Sequence, residues 1–460
     1  MFKFNFEDKD FNKIHFIGIG GISMSGIAML LHNKGYQISG SDRKENPHVN
    51  NLIKEGIKIY IGQSKNNISD QDLFVYTDAI PSYNEELVAA RETGKPVVSR
   101  GVLLGALMRN FDRSIAVSGS HGKSTTTSMI AKILLNSDED PTILLGGDLD
   151  EMDGNVKVGD SDILLTEACE FKANILNFYP STAIVLNIDE DHLDYFKDLN
   201  HIVETFIGYM KNLDENSKAI INLDDPNTSR LFEHIKGKAI SFSLEDDKAD
   251  YYVKSYKLNE LGHCEFVINI DGKDEVFNLN VAGKHNVYNA LAAIITTYEN
   301  GIDIETIKKA ISEYKTLHRR LETIGEKNGA IVITDYGHHP VEIKTTLDAI
   351  KTFSDRKIIT VFEPHEFSRT KALLDDFSKA FYDSDLTIVT DIYPAREEFD
   401  PTIHSSHLVD KLTENGENAM YLSTFEDVVD YLNDKIDENY LVLTLGAGNT
   451  HILADMIVNS

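Results

Sequence analysis

The run Ser118-Gly-Ser-His-Gly-Lys-Ser-Thr-Thr-Thr127 constrains this chain more than any other stretch. It follows the apolar segment Ser114-Ile-Ala-Val117 and precedes a helical pattern reaching from about Lys123 to Asn136. Strand, glycine turn and helix in that order build a P-loop, in which backbone N–H groups and the helix N-terminus cradle an anion. Gly119, Ser120, His121, Gly122 and Thr125 then line the phosphates, Lys123 reaches their terminal oxygens, and Ser124 offers a hydroxyl to Mg2+. The spacing departs from the general nucleotide pattern, because Val117 stands where its first glycine belongs.

Phosphoryl transfer also needs a metal to spread charge over the transferring group. Glu167 follows the apolar run Ile163-Leu-Leu-Thr166, and Asp189, Asp191 and His192 follow a second run ending near Asn187. Open α/β sheets place ligands beyond the carboxyl ends of their strands. Any one of these residues alone fits a cap or a surface position. Two acid-bearing strand ends downstream of one P-loop point to a Mg2+ site.

Apolar strands alternate with helical stretches throughout, which predicts parallel sheets with crossover helices, an α/β fold. Three blocks are expected, at 1–106, 107–316 and 317–460. The first opens with the strand Ile14-His-Phe-Ile17, a turn at Gly18 to Gly21, a helix to Lys34 and the strand Tyr36-Gln-Ile-Ser39. Its turn is similar to a dinucleotide fingerprint with Ser23 in place of the third glycine, and Asp42 stands where an acid binds a ribose hydroxyl. Within the second block, residues 238–282 alternate in short runs, which predicts an antiparallel insert or edge. The third block carries strands at Ile331-Val-Ile333, Ile358-Ile-Thr-Val361, Leu386-Thr-Ile-Val389 and Leu441-Val-Leu-Thr444. Asp335-Tyr-Gly-His-His-Pro340 follows the first of these, and Arg319, Arg320 and Arg369 add cations to an acidic block.

Charge narrows the partners. The chain has 45 basic and 74 acidic residues, a net charge of −29, which repels nucleic acid and anionic membranes. Two cysteines, Cys169 and Cys264, are too few for a disulfide framework and fit a reducing compartment. The start of the chain is polar and acidic, unlike a secretory signal. The uncharged stretch Ile14 to Leu31 is broken by glycines and reads as strand, turn and helix, so no membrane insertion is expected. A cytoplasmic protein is the expectation, as monomer or homodimer.

In order along nearly the whole chain, a set of motifs resembles the Mur ligases. They are His15-Phe-Ile-Gly-Ile-Gly-Gly21, Ser39-Gly-Ser-Asp42, the P-loop, Glu167-Ala-Cys-Glu170 and Asn187-Ile-Asp-Glu-Asp-His192. Gly283-Lys-His-Asn-Val-Tyr-Asn-Ala-Leu291, Arg319-Arg-Leu-Glu322, Asp335 to Pro340, Pro364-His-Glu-Phe-Ser-Arg-Thr370 and Gly446-Ala-Gly448 complete the set. The resemblance implies a three-domain architecture: a Rossmann-like N-terminal domain for a UDP-sugar, a P-loop ATPase central domain, and a Rossmann-like C-terminal domain that closes over ATP and an amino acid. It implies Gly20, Gly21 and Asp42 as sugar-nucleotide contacts. It assigns Lys123 to the phosphates, Ser124, Glu167 and His192 to Mg2+, and His285 and Asn289 to the adenine. Arg320 and Asp335 match ATP contacts of the third domain, and His339 and Arg369 match positions near the amino acid.

The motifs stand nearest the branch that joins L-alanine to UDP-N-acetylmuramate, so the implied reaction is ATP-dependent formation of an acyl phosphate and its capture by an amine. His192 and His339 are the candidate bases for that amine. Ser23 and Gly337 stand where many relatives have Gly and Ala. Glu366 occupies a place where some relatives carry a second arginine. Glu204-Thr-Phe206 lies about where other branches carry a carbamoylated lysine, so none is expected here. Three alternatives remain open: a nicotinamide-dependent oxidoreductase using the first turn, a non-catalytic nucleotide-binding relative, and a ligase that attaches a peptide or another amino acid.

Overall fold

The structure, a computed structural model, describes every residue except 1, 8, 9, 153, 193, 194, 259–262, 282, 316–319 and 396, and every side chain of the rest except 148 and 150. Arg319 and the expected boundary at 316/317 therefore lie outside the described residues. The chain forms two compact units. One comprises Met1–Tyr256, Phe266–Asn278 and His285–Tyr314; the other comprises Lys257–Glu265, Leu279–Lys284 and Lys315–Ser460. The first two sequence blocks thus fall mostly in one unit, and the third makes up most of the other.

The first sheet contains β1 (Lys13–Ile17), β2 (Gln37–Asp42), β3 (Lys58–Ile61), β4 (Leu73–Tyr76) and β5 (Val97–Ser99). Their order is β3-β2-β1-β4-β5 and every pair is parallel. Strand order reverses at β1, so the crevice beyond its carboxyl end, where the glycine turn sits, is the position at which such sheets hold ligands. The stretch Ile14 to Leu31 divides into β1, the turn and the helix Ile22–Asn33, with Ile14, Phe16, Ile27 and Leu30 in the core. Among the described residues no helix is long and apolar enough to cross a membrane.

The second sheet runs through β6 (Arg113–Ser118), β7 (Thr142–Leu149), β8 (Gly154–Lys157), β9 (Ile163–Glu167), β10 (Thr182–Val185), β11 (Lys218–Asn222), β12 (Lys238–Ser243), β13 (Tyr251–Leu258), β14 (Cys264–Ile270) and β15 (Lys273–Leu279). The order is β15-β14-β13-β12-β11-β10-β6-β9-β7-β8. Ile115, Ala116 and Val117 of β6 are fully buried, as expected of a parallel strand covered on both faces. β6 lies between β9 and β10, so the turns that follow these three strands converge at one end of the sheet. The expected edge over 238–282 is present, but its first joint is parallel: Phe242 and Ser243 of β12 face Tyr251 and Tyr252 of β13. The link between those two strands is short, and the sequence carries no signal that separates it from a hairpin.

The third sheet contains β16 (Glu322–Lys327), β17 (Ala330–Asp335), β18 (Lys357–Phe362), β19 (Leu386–Val389), β20 (Ala419–Tyr421) and β21 (Tyr440–Leu445), in the order β16-β17-β21-β18-β19-β20. Only β16 pairs antiparallel, with β17. Apolar clusters around Phe362, Phe377 and Leu443 on one face and Val361, Val442 and Leu453 on the other cover this sheet.

Candidate functional site

Gly122 has φ +83 and caps the helix Lys123–Leu135 without a side chain, which leaves the backbone N–H groups of the first helical turn to face a ligand. A Cβ at Gly122 would lie 2.5 Å from Asn289 Oδ1, so glycine is required by both space and φ. The turn is pinned from β10. His121 N donates to Asn187 Oδ1 at 2.8 Å, Asn187 Nδ2 donates to His121 O at 3.1 Å, and Asp189 N donates to Ser120 Oγ at 2.8 Å. Thr125 is half-buried on the first helical turn.

Lys123 Nζ donates to the carbonyl of Gly119, to that of Ser120 at 3.1 Å, and to both oxygens of Glu170 at 3.1 and 3.2 Å. Burial pushes the ammonium toward neutrality, but the negative charge of Glu170 outweighs it and the lysine pKa rises above its ordinary value. Lys123 is therefore a fixed positive charge at the mouth of the turn. Cys169, next to Glu170, has its thiol pKa raised by burial and stays protonated.

The three residues expected to hold Mg2+ make two different sets of contacts. Ser124 Oγ donates to Glu167 Oε2 at 3.1 Å, while Glu167 Oε1 accepts from Gly146 N on β7 at 2.8 Å. His192, at φ +53, instead faces Asp191 Oδ2 at 3.6 Å and Glu170 Oε1 at 3.9 Å. Among the described residues, Glu170, Asp191 and His192 are the group of His, Cys, Asp or Glu whose ligand atoms all lie within 4.8 Å of one another. Hydroxyl and carboxylate oxygens on one side and two carboxylates with an imidazole on the other suit a hard divalent cation.

Asn289 is buried and holds the P-loop from below. Its Oδ1 accepts from Thr126 Oγ1 at 3.2 Å and its Nδ2 donates to Asn286 Oδ1 at 3.1 Å. His285 is half-buried in the first turn of the helix Lys284–Glu299. In the first sheet, Gly20 N donates to Asp42 Oδ2 at 2.8 Å, and a Cβ on Gly20 would meet that same oxygen at 2.8 Å. Asp42 thus ties the turn to β2, while Gly21 caps the helix Ile22–Asn33 and a Cβ there would meet only Gly18 O and Met24, at 3.8 to 3.9 Å. Ser23 Oγ accepts from Arg100 Nη1 at 3.1 Å, which brings a cation to this turn that the sequence did not reveal.

In the other unit, Asp335 ends β17. Its carboxylate accepts from Leu321 N and Gly337 N, both at 2.8 Å. Burial raises its pKa, opposed by the nearby Arg320, whose guanidinium stacks over the Tyr336 ring at 5.1 Å. His339 is the N-cap of the helix Pro340–Lys351, and its Nδ1 accepts from Val341 N at 3.4 Å. Arg369 pairs with Glu366 Oε2 at 3.2 Å and lies 3.0 Å from His365 Nδ1. Glu366 itself has φ +70, an uncommon backbone state for a residue with a Cβ.

Sequence reasoning did not select Glu170, Arg100 or Gly146 as site residues. Glu170 was visible in Glu167-Ala-Cys-Glu170, but spacing alone does not say which acid turns inward. Arg100 and Gly146 carry no local motif.

Family profiles match the chain in three consecutive stretches: Mur ligase family, catalytic domain, over residues 13–112; Mur ligase middle domain over 117–297; and Mur ligase, glutamate ligase domain, over 319–448. A UDP-N-acetylmuramate–L-alanine ligase of Alkaliphilus metalliredigens is 44% identical over 459 residues, covering 100% of this chain and 99% of its own length. The enzyme of the same name from Acetivibrio thermocellus is 45% identical over 97% of this chain and 96% of its own. The crystal structure of UDP-N-acetylmuramate-alanine ligase MurC from Thermotoga maritima superposes with a TM-score of 0.80 at 28% identity, covering 97% of this chain and 98% of that one. A murein peptide ligase from Psychrobacter arcticus shares the fold at a TM-score of 0.71 and 23% identity, covering 97% of this chain and 98% of that one. With a P-loop at β6, acid-bearing turns after β9 and β10, and full-length relatives at this identity, the chain belongs to the Mur ligase family.

Proposed function

We infer that this chain is an ATP-dependent ligase that joins L-alanine to the lactyl carboxylate of UDP-N-acetylmuramate, a step in peptidoglycan precursor synthesis. The observation that carries the reading is the half-buried Lys123 on a glycine turn, ion-paired with Glu170 at 3.1 Å and flanked by two acid-bearing strand ends. The full-length likeness to ligases of that name supplies the substrates.

The P-loop amides and Lys123 hold the ATP phosphates, with His285 and Asn289 toward the adenine. Ser124 and Glu167 would hold Mg2+ on one side and His192 on the other. A Mg2+ ion there supplies neutralisation of the charge that develops on the transferring phosphoryl group. Gly20, Gly21 and Asp42 belong to the sugar-nucleotide site, and Arg320 and Asp335 are the ATP-binding residues proposed for the third domain.

The substrate carboxylate attacks the terminal phosphorus in line, ADP leaves, and the positive charge of Lys123 stabilises the oxygens as charge builds on them. The alanine amine then attacks the acyl carbon and phosphate departs. A base must take the amine proton. The candidates are His339, the N-cap of the helix Pro340–Lys351, and His192 when its imidazole is not bound to the metal. The proposed domain division is 1–106, 107–316 and 317–460, and the proposed location is the cytoplasm.

The test is ADP release with UDP-N-acetylmuramate across a panel of L-alanine, glycine, L-serine and a preformed peptide. The reading requires release that depends on both substrates and is fastest with L-alanine. Release that ignores the amine, or that favours the peptide, overturns it.

A further inference from the structure

A carboxylate taken out of water must keep a cation, or hydrogen-bond donors, against it. Glu170 is 1% exposed, and Lys123 is the cation on it. The ammonium has three donors. Gly119 O, Ser120 O and the Glu170 carboxylate take all of them. A phosphate oxygen that reaches Lys123 must therefore displace a partner, and the strongest of the three is the anion.

The position of this carboxylate is built rather than incidental. Two residues further on, Lys172 and Ala173 adopt consecutive left-handed conformations, φ 52 and φ 55. Each costs on the order of 1–2 kcal/mol for a residue with a Cβ, so the neighbourhood must impose them. It does so through Lys172 Nζ donating to Asp78 O at 2.9 Å, Asn174 Nδ2 donating to Asp78 Oδ2 at 2.7 Å, and Ala173 N donating to Glu170 O at 2.8 Å. The Phe171 ring packs on His192 with centroids 4.8 Å apart. One tightly held segment thus sets Glu170 against both Lys123 and His192.

We propose that Glu170 is a positioning residue that competes with the nucleotide's phosphates for Lys123, holding the ammonium at the turn and yielding it when a triphosphate arrives. This rests on the reading of the turn after β6 as the ATP site. Two consequences follow from removing the charge while keeping the shape. The phosphates meet an uncontested ammonium and lose a like charge, so ATP binds more tightly. Lys123 and His192 lose their fixed partner, so turnover slows. A lowered KM for ATP together with a lowered kcat is the signature, whereas a merely loosened fold raises KM.

The experiment is calorimetric titration of the full chain with ATP in EDTA, which keeps metal out of the comparison, followed by steady-state kinetics with Mg2+. Glu170→Gln is expected to lower the ATP Kd about tenfold, and Glu170→Asp, whose shorter arm grips less, about two- to threefold. Should Glu170→Gln fail to fold, the aspartate variant alone decides by the same sign. An ATP Kd equal to or weaker than that of the unaltered chain in the folded variants overturns the proposal. Lys123→Met separates the two claims. Its retention of full ATP affinity sinks the P-loop reading, while its loss of affinity without a gain in Glu170→Gln sinks only the role of Glu170.

Discussion

Lys123, Glu167 and His192 divide one task among three environments. The ammonium is half-buried against Glu170, the first carboxylate is bound to Ser124 and Gly146, and the imidazole sits beside two other acids. Lys123→Ala is expected to lower phosphate release by about a hundred- to a thousandfold, the range lost when a preorganised charge-stabilising group is removed. Wild-type-like turnover in a coupled ADP assay would count against the site. Glu167→Gln and His192→Ala are each expected to shift the Mg2+ titration of activity to higher concentration and to lower kcat. An unchanged titration in both would remove them from the metal. His338 makes a separate prediction about stability. Burial pushes its imidazole below the ordinary pKa, against the pull of Glu342. As pH falls through about 6.5 the unfolded chain takes up a proton that the folded unit refuses, so the contribution of this ring is present above that pH and lost below it. Thermal unfolding between pH 7 and 5 should show the loss, and His338→Gln should remove that part of it.

The helix Arg100–Met108 reaches the segment that carries Glu170 through two glycines. A Cβ on Gly105 would fall 1.9 Å from Asn177 O, and one on Gly101 would fall 2.4 Å from Asn174 Oδ1. The obstruction at Gly105 is backbone, which cannot swing aside. Gly105→Ala is therefore expected to destabilise the unit by about 1–3 kcal/mol and to slow turnover, because the segment it pushes ends at Glu170. Unaltered melting and activity would show that the helix can retreat without moving the site. The helix Phe425–Asn433 is an independent case. Thr424 Oγ1 accepts from Asp427 N at 3.1 Å and Thr424 N donates back to Asp427 Oδ2 at 3.3 Å, a reciprocal cap on an exposed end. Thr424→Ala is expected to cost about 1 kcal/mol, read as roughly a fivefold loss of hydrogen-exchange protection confined to that helix.

Across the whole chain, a net charge of −29 opposes compaction. Salt screens such repulsion, with a Debye length of about 10 Å at 0.1 M. Raising NaCl from low concentration to about 0.3 M is expected to raise the melting temperature by a few degrees. A fall would mean that local ion pairs such as Arg113 with Glu139 and Asp162 outweigh the global repulsion. The three sheets share one device. In each, a strand with neighbours on both sides ends in a glycine turn: β1 at Gly18, β6 at Gly119, and β21 at Gly446. All three glycines have positive φ, and at Gly18 and Gly119 the turn is legible in the sequence as a glycine signature.

Local pattern was enough for the alternation of strand and helix, the P-loop and its lysine, and the acids at the ends of β9 and β10. Each depends on residues adjacent in the chain and on backbone states that glycine alone adopts easily. Tertiary structure decided the rest, because partnership across strands leaves no mark on either partner's neighbours in sequence. It turned Glu170 rather than Glu167 onto Lys123, set His192 with Asp191 and Glu170, committed Asp42 to the amide of Gly20, and brought Arg100 to Ser23. It also ran β13 parallel to β12, a choice of direction that an alternating pattern of side chains does not encode.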